Sequence, residues 1–172
     1  MINYQNDLVT LRALEPDDLD FLFNSENDTD LWKYSNRFHP YSKSLLNSYI
    51  ANAHKDIFET RQIKFTITDK EKNAIGFIDL FDFEPLHHRA AIGLIISSPN
   101  RGRGYANAAL GLIETYAKER LQLHQIYAHV AIENQPSIQL FESQNFLLVG
   151  KKKDWNFYEG HFHDELIYQK II

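Results

Sequence analysis

The sequence predicts an α/β fold, a mixed sheet that carries helices on both faces. Short segments with the periodicity of strands alternate with segments that have the spacing of amphipathic helices. The apolar run at residues 90–97 is nearly uninterrupted, which is typical of a central strand covered on both faces. Predicted hairpins occur together with strand–helix–strand crossovers, so both antiparallel and parallel neighbours are expected in the sheet.

The first third of the chain predicts one strand and two helices. Residues 8–14 alternate apolar and polar side chains as a half-buried strand does. Pro16 and the acids that follow it suit the first turn of a short helix ending near Asn24. Apolar residues recur every three to four positions across residues 41–58, which predicts an amphipathic helix. We expect a loop over residues 25–40.

The rest of the chain predicts six strands and two helices. A hairpin is expected from residues 63–68 and 74–83, and the central strand at 90–97 follows it. After a glycine turn, an apolar stripe from Ala106 to Ala117 predicts a helix. The closing elements are predicted as a strand, a helix and two further strands, at residues 125–132, 136–143, 146–152 and 161–171.

The composition indicates one globular domain over residues 1–172. Of its residues 44% are hydrophobic, which suits one core, and the length is short for two domains. The sequence contains no Cys, so disulfides, thiolate nucleophiles and Cys-ligated zinc are excluded. A net charge of −5 gives little support for nucleic-acid binding. Neither a signal peptide nor an apolar run of ~20 residues is recognisable, so we expect a cytoplasmic protein without a membrane partner.

The segment from Arg101 to Ala106 has the position of an anion site, between a predicted strand and a predicted helix. Backbone N–H groups at a helix N-terminus lack partners within the helix, and the helix dipole makes this end attractive to anions. Gly102 and Gly104 let a phosphate approach the backbone, and Arg101 and Arg103 add positive charge. The segment lacks the Gly-Lys-Ser/Thr ending of a P-loop and the third spaced glycine of a dinucleotide fingerprint.

Arg101-x-x-Gly104-x-Ala106 resembles the acetyl-CoA pyrophosphate motif of the GNAT superfamily of N-acetyltransferases. Residues 134–146 resemble the second motif of that family, which lies along the CoA arm; the matching positions are Asn134, Ser137, Leu140, Phe141 and Phe146. The resemblance covers nearly the whole chain. Segments 11–14, 87–90 and 159–164 look most like the spermidine/diamine and ribosomal-protein N-terminal acetyltransferases, with the diamine branch closer.

The resemblance implies a mostly antiparallel sheet of six to seven strands, with acetyl-CoA as co-substrate and no metal. It also implies direct attack of an amine on the thioester, whose carbonyl oxygen binds a backbone N–H of the strand before the phosphate turn. The residues implied to bind the cofactor are Leu94, Ile95, Ile96, Arg101, Gly102, Arg103, Gly104, Tyr105, Ala106, Asn134, Ser137 and Phe141.

Phe141 stands where the family carries the tyrosine that protonates the departing CoA thiolate, and a phenylalanine cannot donate a proton. Tyr168, Tyr158 or Ser143 could replace it, with Tyr168 our first candidate. Solvent could also protonate the thiolate, because a thiol pKa of about 8.5 makes it a tolerable leaving group near neutral pH. A third reading is a protein that binds CoA without turnover.

Three acids in or beside the strand at residues 74–83 are candidates for the base or for a clamp on a cationic acceptor: Asp79, Asp82 and Glu84. Ala91 occupies a position where many relatives carry a strand glutamate, which removes the simplest assignment of the base. Two histidine pairs, at 87–88 and at 161 and 163, come without recognisable further ligands, so we expect no metal site.

The leading functional interpretation is acetylation of a small cationic amine, most simply a polyamine or diamine. The enzymatic alternative is acetylation of a protein or peptide α-amine, and the alternative from another class is a non-catalytic CoA-binding sensor or scaffold. Aromatic residues of the loop and helix that cap the acceptor pocket in relatives could hold an alkyl amine; they are Trp32, Tyr34, Phe38 and Tyr41. A homo-oligomer is common in this group.

Overall fold

In a computed structural model, which describes residues 4–35 and 37–172, the chain is built on a seven-stranded sheet. The strands are β1 (Thr10–Ala13), β2 (Ile63–Thr68), β3 (Ala74–Glu84), β4 (Arg89–Ile96), β5 (Gln125–Ala131), β6 (Leu147–Tyr158) and β7 (His161–Ile171). Their order across the sheet is β1-β2-β3-β4-β5-β7-β6. Neighbouring strands are antiparallel except for β4 and β5, which run parallel.

Helices cover both faces of this sheet. They are α1 (Leu19–Glu26), α2 (Thr29–Trp32), α3 (Lys43–Asn52), α4 (Ile57–Thr60), α5 (Tyr105–Glu119) and α6 (Gln135–Ser143). Leu110 and Ile113 of α5 and Phe141 of α6 are buried in one cluster with the sheet. Leu22 of α1 and Leu46 of α3 are buried in a second cluster, against Phe77, Leu14 and Ile50. The predicted fold class is thereby confirmed.

Two helix predictions differ from the structure. The helix expected over residues 41–58 is divided into α3 and α4, because Asp56 starts a new helix by accepting a hydrogen bond from the Phe58 backbone N–H at 2.7 Å. The loop expected over residues 25–40 contains α2, which Asp28 caps in the same way. Residue 36 of that loop and residues 1–3 lie outside the described residues, and the single domain over 1–172 stays a prediction.

The edge strand β6 runs six residues beyond its predicted end at Lys152. Its pairing with β7 is interrupted between Lys152 and Asn156, where Asp154 adopts a positive φ of 49°. The Asp154 N–H donates to Asp164 Oδ1 at 2.9 Å and so stabilises the irregular segment. Charged residues are depleted in regular strands, which is why the prediction stopped early.

The buried acid Asp18 joins the first strand, the turn at Pro16–Asp18 and β2. Arg12 donates from Nη1 and Nη2 to its two carboxylate oxygens at 2.7 and 2.8 Å. The Thr66 hydroxyl and the Glu15 N–H each donate to Oδ2 at 2.9 Å. Asp18 is only 3% exposed, and these four hydrogen bonds, two of them from the Arg12 guanidinium, compensate its buried charge.

The two parallel strands separate soon after they meet. β4 and β5 pair only through Arg89–Gln125, Ala90–Ile126 and Ala91–Tyr127. Beyond these pairs β4 continues along β3 and β5 continues along β7. Residues 92–96 therefore have no strand partner on the β5 side within the described part of the chain, and a crevice opens in the middle of the sheet. Among the described residues, no helix is long and apolar enough to cross a membrane.

Candidate active site

The predicted phosphate turn lies at the end of β4, where the crevice meets the N-terminus of α5. Gly102 and Gly104 have φ values of 73° and 81°, a left-handed conformation that L side chains rarely adopt. Gly104 is the N-cap of α5 and, as a glycine, offers no side chain to bond the free N–H groups of the first turn. A Cβ atom at Gly102 would meet nothing within 4 Å, so the backbone lies open to a ligand.

Arg101 also makes a hydrogen bond within the protein that its place in the motif does not predict. Its Nε donates to the carbonyl oxygen of Ile96 at 2.9 Å, which ties the phosphate turn to the end of β4. The terminal nitrogens of the guanidinium remain able to contact a pyrophosphate. Arg103 is exposed at the same turn.

The residues before the turn present their backbone to the crevice. Leu94 and Ile96 pack into the cluster beneath α5, whereas Ile95 packs into the cluster beneath α1 and α3. Their side chains therefore pack in the two cores, and their backbone N–H groups are the ones that could bind a thioester carbonyl oxygen. Tyr105 and Ala106, at the start of α5, pack partly against the core.

The second motif contributes to α6. Asn134 caps this helix, because its Oδ1 accepts a hydrogen bond from the Ser137 N–H at 3.2 Å. Phe141 is 5% exposed, and its ring packs against Phe146 at 5.0 Å and is stacked on Tyr168 at 6.5 Å. The resemblance implies CoA binding at these positions, which stays a prediction; in the structure Asn134 caps α6 and Phe141 packs in the core.

The hydroxyl groups proposed to replace the missing acid are already hydrogen-bonded. Tyr168 Oη donates to Glu142 at 2.9 Å, and burial together with this carboxylate raises the pKa of Tyr168 to about 12. Tyr158 donates to Glu133, and Ser143 donates to the Leu140 carbonyl oxygen. None of the three directs a free proton toward a ligand, so the role of Tyr168 as acid stays a prediction that this geometry does not favour.

A cavity of about 550 Å³ lies on the face of the sheet covered by α1 and α3. We call it the acceptor cavity. It is lined by three carboxylates, three cations and a set of polar and apolar residues: Glu26, Asp79, Asp82, Arg37, Arg61, Lys64, Tyr41, Leu46, Tyr49, Thr60, Gln62 and Phe81. Because β3 lies next to β4, the cavity adjoins the strand that borders the crevice.

Asp79 has one occupied and one free carboxylate oxygen. Oδ2 accepts from Gln62 Nε2 at 3.1 Å and lies 3.8 Å from Lys64 Nζ. Oδ1 extends over Gly93 of β4, where an added Cβ would lie only 2.5 Å from it, and it accepts no hydrogen bond from the described residues. Burial raises the pKa of Asp79, while Lys64 and Gln62 oppose the shift.

The other two candidate acids differ from Asp79. Asp82 is exposed at an irregularity of β3, has a positive φ of 48°, and lines the acceptor cavity. Glu84 is exposed opposite Arg89 at the end of the strand and does not line the cavity. The structure thus brings two of the three predicted acids to the cavity and leaves the third outside it.

Sequence reasoning missed Lys64, Glu26 and His129. A lysine within the apolar strand β2 was the available signal for Lys64. Glu26 lies in an acid-rich segment whose pattern is typical of a solvated helix face, yet it bonds to Arg37 and Lys64. His129 follows the point where β5 leaves β4, burial together with Lys152 lowers its pKa, and its Nδ1 lies 3.3 Å from Lys152 Nζ.

The four aromatic residues of the loop do not form one group. Tyr41 lines the acceptor cavity, and the Arg37 guanidinium lies 3.9 Å above its ring. The other three line a separate cavity against the β6–β7 hairpin; they are Trp32, Tyr34 and Phe38. In the described part of the chain, no cluster of three His, Asp or Glu side chains could hold a metal ion.

Comparison with known proteins agrees with this geometry. The chain matches the acetyltransferase (GNAT) domain family over residues 9–146. It is 31% identical to a spermidine N(1)-acetyltransferase of Vibrio cholerae over 159 aligned residues. The aligned residues cover 92% of this chain and 90% of the relative. The fold matches the crystal structure of a Vibrio cholerae spermidine N-acetyltransferase in complex with CoA and spermine, with a TM-score of 0.87, 29% identity and coverage of 96% of both chains.

A dodecameric structure of spermidine N-acetyltransferase from the same organism also matches, with a TM-score of 0.80 and 31% identity, covering 96% of this chain and 95% of that one. The family match spans most of the sequence, and the fold agrees with these acetyltransferases along nearly its full length. The chain therefore belongs to the acetyltransferase (GNAT) family and is an acetyl-CoA-dependent N-acetyltransferase.

Proposed function

We propose that the amine acetylated by this chain is a polyamine or diamine. The observation that carries the proposal is Oδ1 of Asp79, a residue that lines the acceptor cavity: this oxygen lies over Gly93 of β4 and accepts no hydrogen bond from the described residues. An unbonded carboxylate oxygen on a largely buried side chain suits a substrate ammonium. Similarity to acetyltransferases named for spermidine supports the same acceptor class.

The residues then have the following roles. The N–H groups at Gly104 to Ala106 and the guanidinium of Arg101 hold the pyrophosphate. A backbone N–H among residues 94–96 binds the thioester carbonyl oxygen and stabilises the negative charge that develops on it. Asp79 holds the acceptor ammonium and removes its proton, which frees the lone pair for attack. As the N–C bond forms, the C–S bond breaks and the thiolate leaves.

Solvent supplies the proton for the thiolate in this proposal. Phe141 cannot donate one, and Tyr168, Tyr158 and Ser143 donate to other groups. A CoA thiolate with a pKa of about 8.5 can leave near neutral pH without a protein acid. The absence of Cys from the chain makes free CoA easy to measure, because the protein contributes no thiol of its own.

The test is release of CoA thiol from acetyl-CoA in the presence of spermidine, spermine, putrescine, aminoglycosides or N-terminal peptides. We expect release that depends on the polyamines. Release with N-terminal peptides and none with polyamines would replace the proposed acceptor by a protein α-amine. Tight CoA binding with no release for any amine would favour a non-catalytic binder and overturn the assignment of the acceptor.

We also propose that the chain forms a homo-oligomer through the edge strand β6. Leu147, Leu148 and Val149 are consecutive on this strand and are 70%, 55% and 52% exposed, an unusual density of apolar surface for a free edge. The dodecameric relative supports an assembly.

Dependence on acetyl-CoA is consistent with the expected cytoplasmic location, which stays a prediction.

A further inference from the structure

Lys64 is a cation built into the wall of the acceptor cavity. Its ammonium lies 3.4 Å from Glu26 Oε1 and 3.8 Å from Asp79 Oδ2, so one charge is shared by two carboxylates. Its side chain is only 13% exposed. Burial alone would lower its pKa, but Asp79 and Glu26 together raise the pKa of Lys64 above its usual value, and it stays charged at neutral pH.

The side chains of Arg37 and Lys64 already pair with much of the carboxylate charge in the acceptor cavity. Glu26 is bonded by Arg37 on one oxygen and by Lys64 on the other. Oδ2 of Asp79 is held by Gln62 and faces Lys64. Among the described residues that line the cavity, the carboxylate oxygens that remain for a ligand are Oδ1 of Asp79 and those of the exposed Asp82, toward the outer end of β3.

The geometry points to Lys64 as a specificity-determining residue that admits one substrate ammonium to the inner part of the acceptor cavity and repels a second. This inference rests on the proposed function, in which the reacting amine binds Oδ1 of Asp79. A second ammonium that approached Glu26 would have to displace Lys64 or Arg37, both largely buried and paired. Further charges of a polyamine must therefore extend toward Asp82.

The experiment compares two acceptors of equal chain length, pentylamine with one amine and 1,5-diaminopentane with two. Their dissociation constants are measured by calorimetry with the CoA-saturated protein at pH 7.5, where both amines are protonated. Lys64→Met replaces the cation by a neutral unbranched side chain. We expect it to strengthen binding of the diamine relative to the monoamine by about tenfold, because a like charge is removed from a poorly screened site.

The ratio of the two dissociation constants separates the effect of charge from general damage, since any loss of packing or change in the pKa of Asp79 affects both amines. Lys64→Arg keeps the charge and should keep the wild-type ratio. Lys70→Met removes an exposed lysine from the turn between β2 and β3 and serves as the matched control. Glu26→Gln makes the cavity more positive and should shift the ratio in the opposite direction, so it decides the question if Lys64→Met does not fold.

A ratio within twofold of wild type in Lys64→Met, or in Glu26→Gln where only that variant folds, would overturn the inference. Failure of either amine to bind the wild-type protein would overturn it as well. The proposed function is judged separately by turnover, so binding that follows the predicted ratio without release of CoA would retain the role of Lys64 and reject the polyamine as acceptor.

Discussion

At the level of single residues, the acceptor side of the site depends on a contact between two neighbouring strands. Asp79 of β3 lies opposite Gly93 of β4, and the missing side chain of the glycine is what makes room for the carboxylate. Gly93 is on the same strand as Ala91, where the family resemblance leads one to expect a glutamate. The carboxylate near the crevice thus comes from β3 rather than from β4.

Gly93→Ala tests this contact directly. The added Cβ would lie 2.5 Å from Asp79 Oδ1, so the carboxylate must move. We expect kcat/KM for the amine to fall about 10- to 100-fold, since small displacements of a reacting group carry costs of this order. Gly111→Ala, on an exposed helix position with nothing within 4 Å, is the control and should retain activity. Equal kcat/KM in Gly93→Ala and wild type would contradict the assignment.

Asp79→Asn should lower kcat by about 10²- to 10⁴-fold, the range for loss of a general base, with little change in acetyl-CoA affinity.

The pH profile of the wild-type protein gives a second prediction. Asp79 must be ionised to accept a proton, and burial raises its pKa, so activity should fall on acidification at a pH above the usual value of about 3.9.

The groups that set this acidic limb face Asp79 from three elements: Lys64 and Gln62 at β2, Glu26 of α1 and Tyr49 of α3. Lys64 opposes the rise in the pKa, so Lys64→Met should move the acidic limb to still higher pH. Measurement of kcat/KM from pH 4 to 9 checks the direction. If the acidic limb of the kcat/KM profile moves to lower pH in Lys64→Met, a group other than Asp79 sets that limb.

At the level of elements, the β1–β2 edge of the sheet is joined to the turn before α1 by the buried carboxylate of Asp18. Burial alone would raise the pKa of Asp18, but the Arg12 guanidinium and the hydrogen bonds from Glu15 and Thr66 hold it below its usual value. A depressed pKa stabilises the folded state above the unfolded-state pKa. This contribution is lost as the pH falls through the folded-state pKa.

Asp18→Asn should therefore destabilise the fold by about 2–4 kcal/mol at pH 7, because it leaves the Arg12 charge unpaired and the hydrogen bonds weakened. Urea unfolding followed by circular dichroism measures the difference, which should narrow below about pH 4. Asp20→Asn is the matched control, since its pair with Lys43 is largely exposed and should contribute less than about 1 kcal/mol.

Elements with a local signal could be predicted from the sequence, and elements that depend on distant partners could not. The phosphate turn is contiguous, from Arg101 to Ala106, and its glycines alone indicate the conformation. The division between α3 and α4 depends on a single cap at Asp56 that apolar spacing does not register. The acceptor cavity is harder still, because Glu26 and Lys64 are 38 positions apart and only the sheet brings them together.

At the level of the whole molecule, the apolar surface of β6 predicts assembly. Leu148→Lys introduces a charge on this edge, and we expect it to shift the mass measured by light scattering toward the monomer. Leu45→Lys changes an equally exposed leucine on α3 and should leave the mass unaltered. A wild-type protein that is monomeric at micromolar concentration would remove the proposed interface.

The short parallel seam between β4 and β5 has a consequence for the order of folding. β1 to β4 and β5 to β7 form two antiparallel groups, and the seam joins these groups through three residue pairs only, from Arg89–Gln125 to Ala91–Tyr127, across the α5 crossover. Three pairs supply few contacts to offset the loop-closure entropy of that crossover, so we expect the seam to form late. The crevice would then be absent from the transition state, and bound CoA would prolong the lifetime of the native protein by slowing its unfolding rather than by speeding its folding.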